Sequence, residues 1–199
     1  MKELNLKVIN GEKNILLSAP HCVLHTRENS TRPAETKTKD IVKTLAHNQD
    51  TFGIYKLKGE HNDANWDKEC TYKAKVVELV NEQNIKSLID FHGMAAHREQ
   101  DICIGINDGK NIYGYANLTG DMVKIFKEHG ITNVSVDDPF AARHEYCVST
   151  YTASKCSIPT FQIEINCRYT LDEYEESSKY GELVEALSKV IDLIDEKVL

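Results

Sequence analysis

Apolar residues recur along this chain with two different periods, and the two alternate. Short runs of strand type occupy Leu6–Ile9, Ile15–Ala19, Phe52–Leu57, Ser87–Phe91, Ile102–Ile106, Val134–Val136 and Thr160–Ile165. Segments of helical period lie between them. Lys37–His47 sets Ile41, Val42 and Leu45 on one side, and Lys68–Glu82 does the same with Tyr72, Val76, Val77 and Val80. Tyr115–His129 carries Tyr115, Leu118, Met122, Ile125, Phe126 and His129 at i, i+3, i+4 spacing. The last and clearest helix has Leu183, Leu187, Val190, Ile191, Ile194 and Val198. Strands alternating with helices predict an α/β fold: a mixed, mostly parallel sheet with helices on both faces. Asn10-Gly11 between the first two runs predicts a hairpin, one source of the mixed character.

Two polar stretches break the alternation. Thr26–Thr36 includes Arg27, Glu28, Arg32, Pro33 and Glu35, and Gly59–Asp67 reads Gly-Glu-His-Asn-Asp-Ala-Asn-Trp-Asp. Neither has an apolar period, and long loops of this kind in compact domains are usually functional or mobile. No internal repeat, linker or low-complexity tract divides the chain, so residues 1–199 read as one domain. At 199 residues and 41% hydrophobic composition, the chain suffices for one well-buried core and is short for two. A net charge of −7, with Lys and Arg scattered, argues against nucleic-acid and anionic-membrane partners. Met1-Lys2-Glu3-Leu4-Asn5 opens no signal-like apolar stretch, and no run reaches the ~20 apolar residues of a membrane helix. The expectation is a cytoplasmic protein, monomeric or a small homo-oligomer.

Three strand-like runs end in chemistry. Ser18-Ala19-Pro20-His21, Ile89-Asp90-Phe91-His92-Gly93 and Gln162-Ile163-Glu164-Ile165-Asn166 each place a metal-binding or proton-moving side chain at or near a strand end, where α/β enzymes gather their ligands. Pro20 denies the ladder a donor, so the strand before His21 is ending there. Gly93 lets the chain turn sharply or a ligand come close beside His92. Asp90 could orient a neighbouring group, or simply pair with His92 on the same strand face. Glu35 stands before the helix starting near Lys37; it is a candidate third ligand, and equally an ordinary charge at a helix N-terminus. Glu164 interrupts an apolar strand, which is costly unless it faces a polar site, so it is the leading candidate for general base. Arg168 and Arg143 could bind a substrate carboxylate or be solvated. His25, His61, His97 and His144 lie in polar loops, with His25 read as supporting His21 or unrelated. Cys22, Cys70, Cys103, Cys147, Cys156 and Cys167 form no CxxC pair and read as free thiols. Because Cys22 and Cys167 adjoin site segments, a cysteine-dependent hydrolase is one alternative; a non-catalytic metal- or ligand-binding protein is another.

Together these blocks resemble, in order, the N-formylglutamate amidohydrolase family, a zinc-dependent group whose fold is similar to that of the zinc carboxypeptidases and aspartoacylase. Ser18-Ala19-Pro20-His21 is similar to the family's opening Pro-His. Glu35 and the helix after it resemble the acidic ligand and helix. Asp90-Phe91-His92-Gly93, with Arg98-Glu99-Gln100-Asp101-Ile102-Cys103-Ile104-Gly105, resembles the Asp-x-His segment and its downstream Asp-Ile-x-x-Gly. Gln162-Ile163-Glu164-Ile165-Asn166 resembles the closing Glu-x-Asn, and Asn62-Asp63-Ala64-Asn65 the family's Asp-Leu-Asn-Arg. The resemblance covers roughly residues 15 to 170. It implies a phosphorylase/hydrolase-like fold of the zinc carboxypeptidase kind, one Zn²⁺ held by His21, Glu35 and His92, and Glu164 and Arg168 as catalytic groups. It further implies hydrolysis of a small carboxylated N-acyl amino acid by metal-activated water, for which Arg143, Asn65 and Arg98 are the candidate substrate-binding residues. Two positions depart from the family pattern. Trp66 follows Asn65, and Cys167 intervenes between Asn166 and Arg168, where the family carries arginines that read substrate carboxylates.

Overall fold

The computed structural model of the chain describes residues 5–35, 37–59, 62–172 and 179–198. Among them, seven strands form one sheet: β1 (Leu6–Ile9), β2 (Lys13–Ala19), β5 (Thr51–Lys56), β6 (Ser87–Met94), β7 (Ile102–Gly105), β8 (Val134–Val136) and β9 (Thr160–Asn166). A separate two-stranded ribbon is made by β3 (His25–Arg27) and β4 (Ser30–Arg32). The helices are α1 (Thr38–Gln49), α2 (Thr71–Glu82), α3 (Ala116–Glu128), α4 (Val148–Cys156) and α5 (Tyr180–Val198). The expected α/β class, with a mixed, mostly parallel sheet in a single domain, is what is found.

The sheet runs β1-β5-β2-β6-β9-β7-β8. Its centre, β5-β2-β6-β9, is parallel throughout; β1 and β7 join it antiparallel, and β8 runs parallel to β7. After β2 the chain crosses through α1 to β5 on one side, then returns through α2 to β6 on the other. The strand order therefore reverses direction at β2, and open sheets bind ligands beyond the carboxyl ends of strands at such a switch point.

Alternation along the central strands sorts their side chains between two layers. Ile15, Leu17, Ile89, Phe91, Phe161, Ile163 and Ile165 join the larger core with α1, α3 and α5. Leu16 and Leu88 face the other way, into a smaller core with α2 and the start of α4. On this second face the strands become polar toward their carboxyl ends: Ser18 on β2, Asp90 and His92 on β6, Gln162 and Glu164 on β9. Register brings them side by side, with Ser18 opposite Asp90, Asp90 opposite Gln162, and His92 opposite Glu164.

Four readings of the sequence need correction. The first two strands do not form a hairpin, because β5 lies between them and pairs with both. Gly11 is required by packing instead: a Cβ there would lie 2.4 Å from the carbonyl carbon of Thr51. Part of the first polar stretch is ordered as the β3–β4 ribbon, turned by Glu28 and Asn29 with φ of 49° and 63°, the left-handed pair of a tight two-residue hairpin. Helix α4 gave no apolar stripe, since Ser149 and Thr152 are among the residues it buries. The strand carrying His92 also continues to Met94, so His92 lies inside it.

Candidate metal and catalytic site

Backbone hydrogen bonds bring the first two candidate ligands together. His21 follows the end of β2, and its carbonyl accepts the Glu35 N–H at 2.9 Å, although 14 residues separate them. Glu35 leads into α1, where the Thr38 hydroxyl donates to its carbonyl at 2.9 Å. From β6, the Gly93 N–H donates to Glu35 Oε2 at 3.1 Å. A Cβ on Gly93 would stand 3.3 Å from that of Glu35, so the close approach calls for glycine.

One carboxylate thus faces two imidazoles. Glu35 Oε1 lies 3.1 Å from His21 Nδ1, and Oε2 lies 3.0 Å from His92 Nδ1. Donor atoms of the three residues all fall within 4.8 Å of one another. The outer nitrogens are held by buried carboxylates: His21 Nε2 by Asp63 Oδ1 at 2.8 Å, and His92 Nε2 by Asp90 Oδ2 at 3.0 Å. An Nε2–H donating outward leaves each Nδ1 lone pair aimed at the cluster's centre, which is how metal-binding histidines are oriented. Asp90 is itself fixed, since Ser18 Oγ donates to its Oδ1 at 2.6 Å and the Tyr72 hydroxyl backs Ser18 at 2.9 Å. Two imidazole nitrogens and a carboxylate with both oxygens inward are a donor set that fits a borderline-soft divalent ion.

The electrostatics point the same way. Burial alone would lower the pKa of both imidazoles, but Glu35 raises both, helped by Asp63 at His21 and by Asp90 at His92. Glu35, partly buried, and Asp63, fully buried, are carboxyls whose pKa desolvation would raise, yet the histidines hold both well below the ordinary range, with Arg27 assisting at Asp63. Glu164 behaves oppositely. Its burial outweighs the attraction of His92 and His21, and its carboxyl is pushed up to about 7. Two kinds of carboxylate therefore share one site: ionised ones against the rings, and one poised to exchange a proton near neutrality. Gln162 Nε2 donates to Glu164 Oε1 at 2.9 Å and fixes its orientation.

A cavity of about 540 Å³ opens over this cluster. His21, Glu35, His92 and Glu164 form part of its lining, with Arg27, Arg32, Asn65, Trp66, Arg143 and His144 around them. Asn65 lies 3.1 Å from His92 Nε2 through its amide nitrogen, while its Oδ1 accepts the Val148 N–H at 2.9 Å and ties the wall to α4. Trp66 stacks on His144 with ring centroids 4.5 Å apart. Of the arginines singled out from sequence, only Arg143 lines the cavity. Arg168, expected there as a catalytic group, is instead paired through Nη2 with Asp101 Oδ1 at 2.9 Å, because the turn after β9 carries it toward the β6–β7 connection. Arg98 lies outside the lining as well, its guanidinium 4.6 Å from the Phe140 ring centroid.

Several residues of this site were not legible beforehand. Asp63 is fully buried and organises its loop: it accepts the Asn65 N–H at Oδ1 and Arg27 Nε at Oδ2, 2.8 and 2.7 Å away. His25 stacks on His21 with centroids 3.9 Å apart and planes 5° from parallel. Burial and the neighbouring His21 lower its pKa to about 4, so at neutral pH it is an uncharged brace. His21, His25 and Asp63 also cluster. With Arg27 already on Asp63, however, that group supports His21 from behind and does not make a second cation site. The sequence had offered His25 only as supporting His21 or unrelated, and Asp63 only within the Asn62–Asn65 resemblance, with no role attached to either. His61 lies outside the described residues. Cys22 and Cys167 do not line the cavity, and burial pushes the Cys22 thiol up to about 11, the wrong direction for an activated nucleophile.

No protein-family model matches the chain, and no curated protein sequence is similar to it. Solved structures do share its architecture. N-formylglutamate amidohydrolase from Ralstonia eutropha JMP134 superposes with a TM-score of 0.66 at 12% identity, covering 98% of this chain and 99% of that one. A bacteriophage poly-gamma-glutamate hydrolase gives 0.63 at 14%, covering 96% and 90%. A metallo-carboxypeptidase from Pseudomonas aeruginosa gives 0.55 at 10%, covering 95% of this chain and 61% of the longer one. The chain has the fold that N-formylglutamate amidohydrolase and the metallo-carboxypeptidases share.

Proposed function

We propose that this protein is a metal-dependent amidohydrolase that cleaves a small N-acyl amino acid. The observation that supports this most is the convergence of His21 Nδ1, His92 Nδ1 and both Glu35 oxygens on one point, each imidazole braced from behind by a carboxylate. One zinc ion is the expected occupant, because two histidines and a glutamate with room for a further ligand is a recurrent catalytic zinc set. Zinc, when bound, polarises a carbonyl and acidifies water.

The chain's own residues supply the rest. Glu164, next to His92 across the β6–β9 register, takes the proton from the attacking water and hands it to the leaving amine. Without metal, burial pushes that carboxyl up to about 7; a dication bound beside it would draw it down toward the ionised form that accepts the water's proton. Asp63 and Asp90 keep the two rings in their tautomers through the cycle. Arg143 lines the cavity and replaces Arg168 as the candidate to steady the developing oxyanion.

Metal analysis of protein purified without chelator, followed by turnover assays on a panel of N-acyl amino acids that includes N-formylglutamate, tests the reading. Stoichiometric zinc with turnover that chelation abolishes and zinc restores is expected. Protein without divalent metal, in which added zinc changes neither stability nor turnover, would sink it.

A further inference from the structure

Three of the chain's five arginines line the cavity over His92 and Glu164, and none of its described lysines does. On a chain of net charge −7 this gathers at one place the side chain whose planar fork matches a carboxylate. Two of the three guanidiniums already hold an acid. Arg27 donates Nε to Asp63 Oδ2 at 2.7 Å and lies 5.4 Å from the Trp66 ring centroid. Arg143 grips Asp108 with two hydrogen bonds of 2.8 and 2.7 Å. Arg32 has no acidic partner among the described residues.

The ribbon geometry says where Arg32 stands. β3 and β4 pair with His25 opposite Arg32 and Arg27 opposite Ser30. Facing residues of an antiparallel pair share a side, and alternate residues along a strand do too. His25, Arg27 and Arg32 therefore occupy one face of the ribbon, with Thr26 and Thr31 on the other. His25 is stacked on His21 and Arg27 is bound to Asp63, so that face is the one turned to the metal-binding cluster. Arg32 comes off beside His25 on the cavity wall, carried by a ribbon with a tight two-residue turn.

We propose that Arg32 is the specificity-determining residue of this cavity: it clamps a free carboxylate of the substrate and so selects acyl amino acids with that group over their amides. Arg27 and Arg143 are already neutralised by Asp63 and Asp108, which leaves Arg32 as the cavity guanidinium open to an incoming anion. The assignment rests on the amidohydrolase reading for the kind of ligand expected, but its test does not depend on turnover.

The probes are levulinate, which has a methylene where N-acetylglycine has its amide N–H and so cannot be hydrolysed, and its carboxamide. Their affinities are measured by calorimetry on zinc-loaded wild type, Arg32→Ala and Arg32→Lys. Wild type should prefer levulinate by about 10- to 100-fold, the worth of a hydrogen-bonded charge pair. In Arg32→Ala that preference should fall to within about threefold, with carboxamide affinity unchanged, and Arg32→Lys should recover part of it. The proposal is overturned if wild type shows no preference or binds neither probe. It is equally overturned if the preference survives in Arg32→Ala, or if Arg32→Ala weakens both probes alike. An intact preference without turnover on any N-acyl amino acid would remove the hydrolase reading and leave this one standing. Turnover without any dependence on Arg32 would do the reverse.

Discussion

Asp90, His92, Gln162 and Glu164 stand on two adjacent parallel strands, while Arg27, Arg32, Asp63, Trp66 and Arg143 come from a ribbon and loops that reach over them. The strand-borne group is buried and locked by ladder register, so its spacing cannot change without slipping β6 against β9, which would turn each of these side chains to the wrong face. The loop-borne group is held by point contacts centred on Asp63 and by ion pairs that are partly or largely exposed. Reaction chemistry that needs fixed distances has been placed on the sheet, and recognition that needs adaptable reach has been placed on the loops. Asp63 links the two, since one of its oxygens holds His21 and the other holds Arg27.

If this division is right, the largest effect belongs to the strand-borne acid. Glu164→Gln keeps the shape but cannot accept a proton, so turnover should fall by about 10²–10⁴ while zinc content stays stoichiometric. Loss of zinc in that variant would move Glu164 into the ligand set, and full activity would break the assignment.

The same residue has a pH signature in metal-depleted protein. Its carboxyl is pushed up to about 7 in the fold, so the fold binds its proton more tightly than the unfolded chain does. The associated stability is complete below the ordinary value of 4.5 and is lost as pH rises through about 7. Relative to Glu164→Gln, wild type should lose up to roughly 3 kcal/mol between pH 4 and pH 8, read by urea unfolding at several pH values. A difference that does not vary with pH would show that the carboxylate is better solvated than its burial implies.

Next in size are the carboxylates behind the rings. Asp90→Asn and Asp63→Asn should each weaken zinc binding by about 10- to 100-fold in competition with a chromogenic chelator. Only Asp63→Asn should also disturb Arg27, because the hydrogen-bond partners of Asp90, Ser18 and His92, both stand on strands. Equal disturbance of the loop side by both variants would erase the distinction between the two halves. The smallest effect is expected at the rim. Arg143 and Asp108 pair in the open, so Arg143→Ala should leave the thermal unfolding midpoint unchanged. A clear drop would show that the rim is structural.

The strand half was readable in advance because alternation is local. Asp90, His92 and Glu164 each break an apolar run at a position where a charge is costly unless a site explains it. The loop half was not readable for the opposite reason. Nothing in Thr26–Thr36 has a period, and the Glu28-Asn29 turn that makes a ribbon of it carries no glycine to announce it. The misplaced hairpin has a similar origin: Asn10-Gly11 is a turn by composition, but the ladder partners of β1, from Leu6↔Lys56 to Ile9↔Gly53, lie far beyond it along the chain. Arg168 looked close to Glu164 because it is close along the chain, and the turn after β9 takes it away.

The order of elements, the amphipathic helices and the polar breaks at His21, His92 and Glu164 were determined by the sequence itself, since periodicity and the cost of a buried charge act over a few neighbouring residues. Tertiary structure alone decided that Glu35 meets both histidines, that Asp63 and not a nearer acid backs His21, and that three of five arginines share one cavity. The hydrogen bonds among them join residues 14, 42 and 57 positions apart, and which of many possible long-range pairs form is settled only when the crossovers at β2 close the sheet.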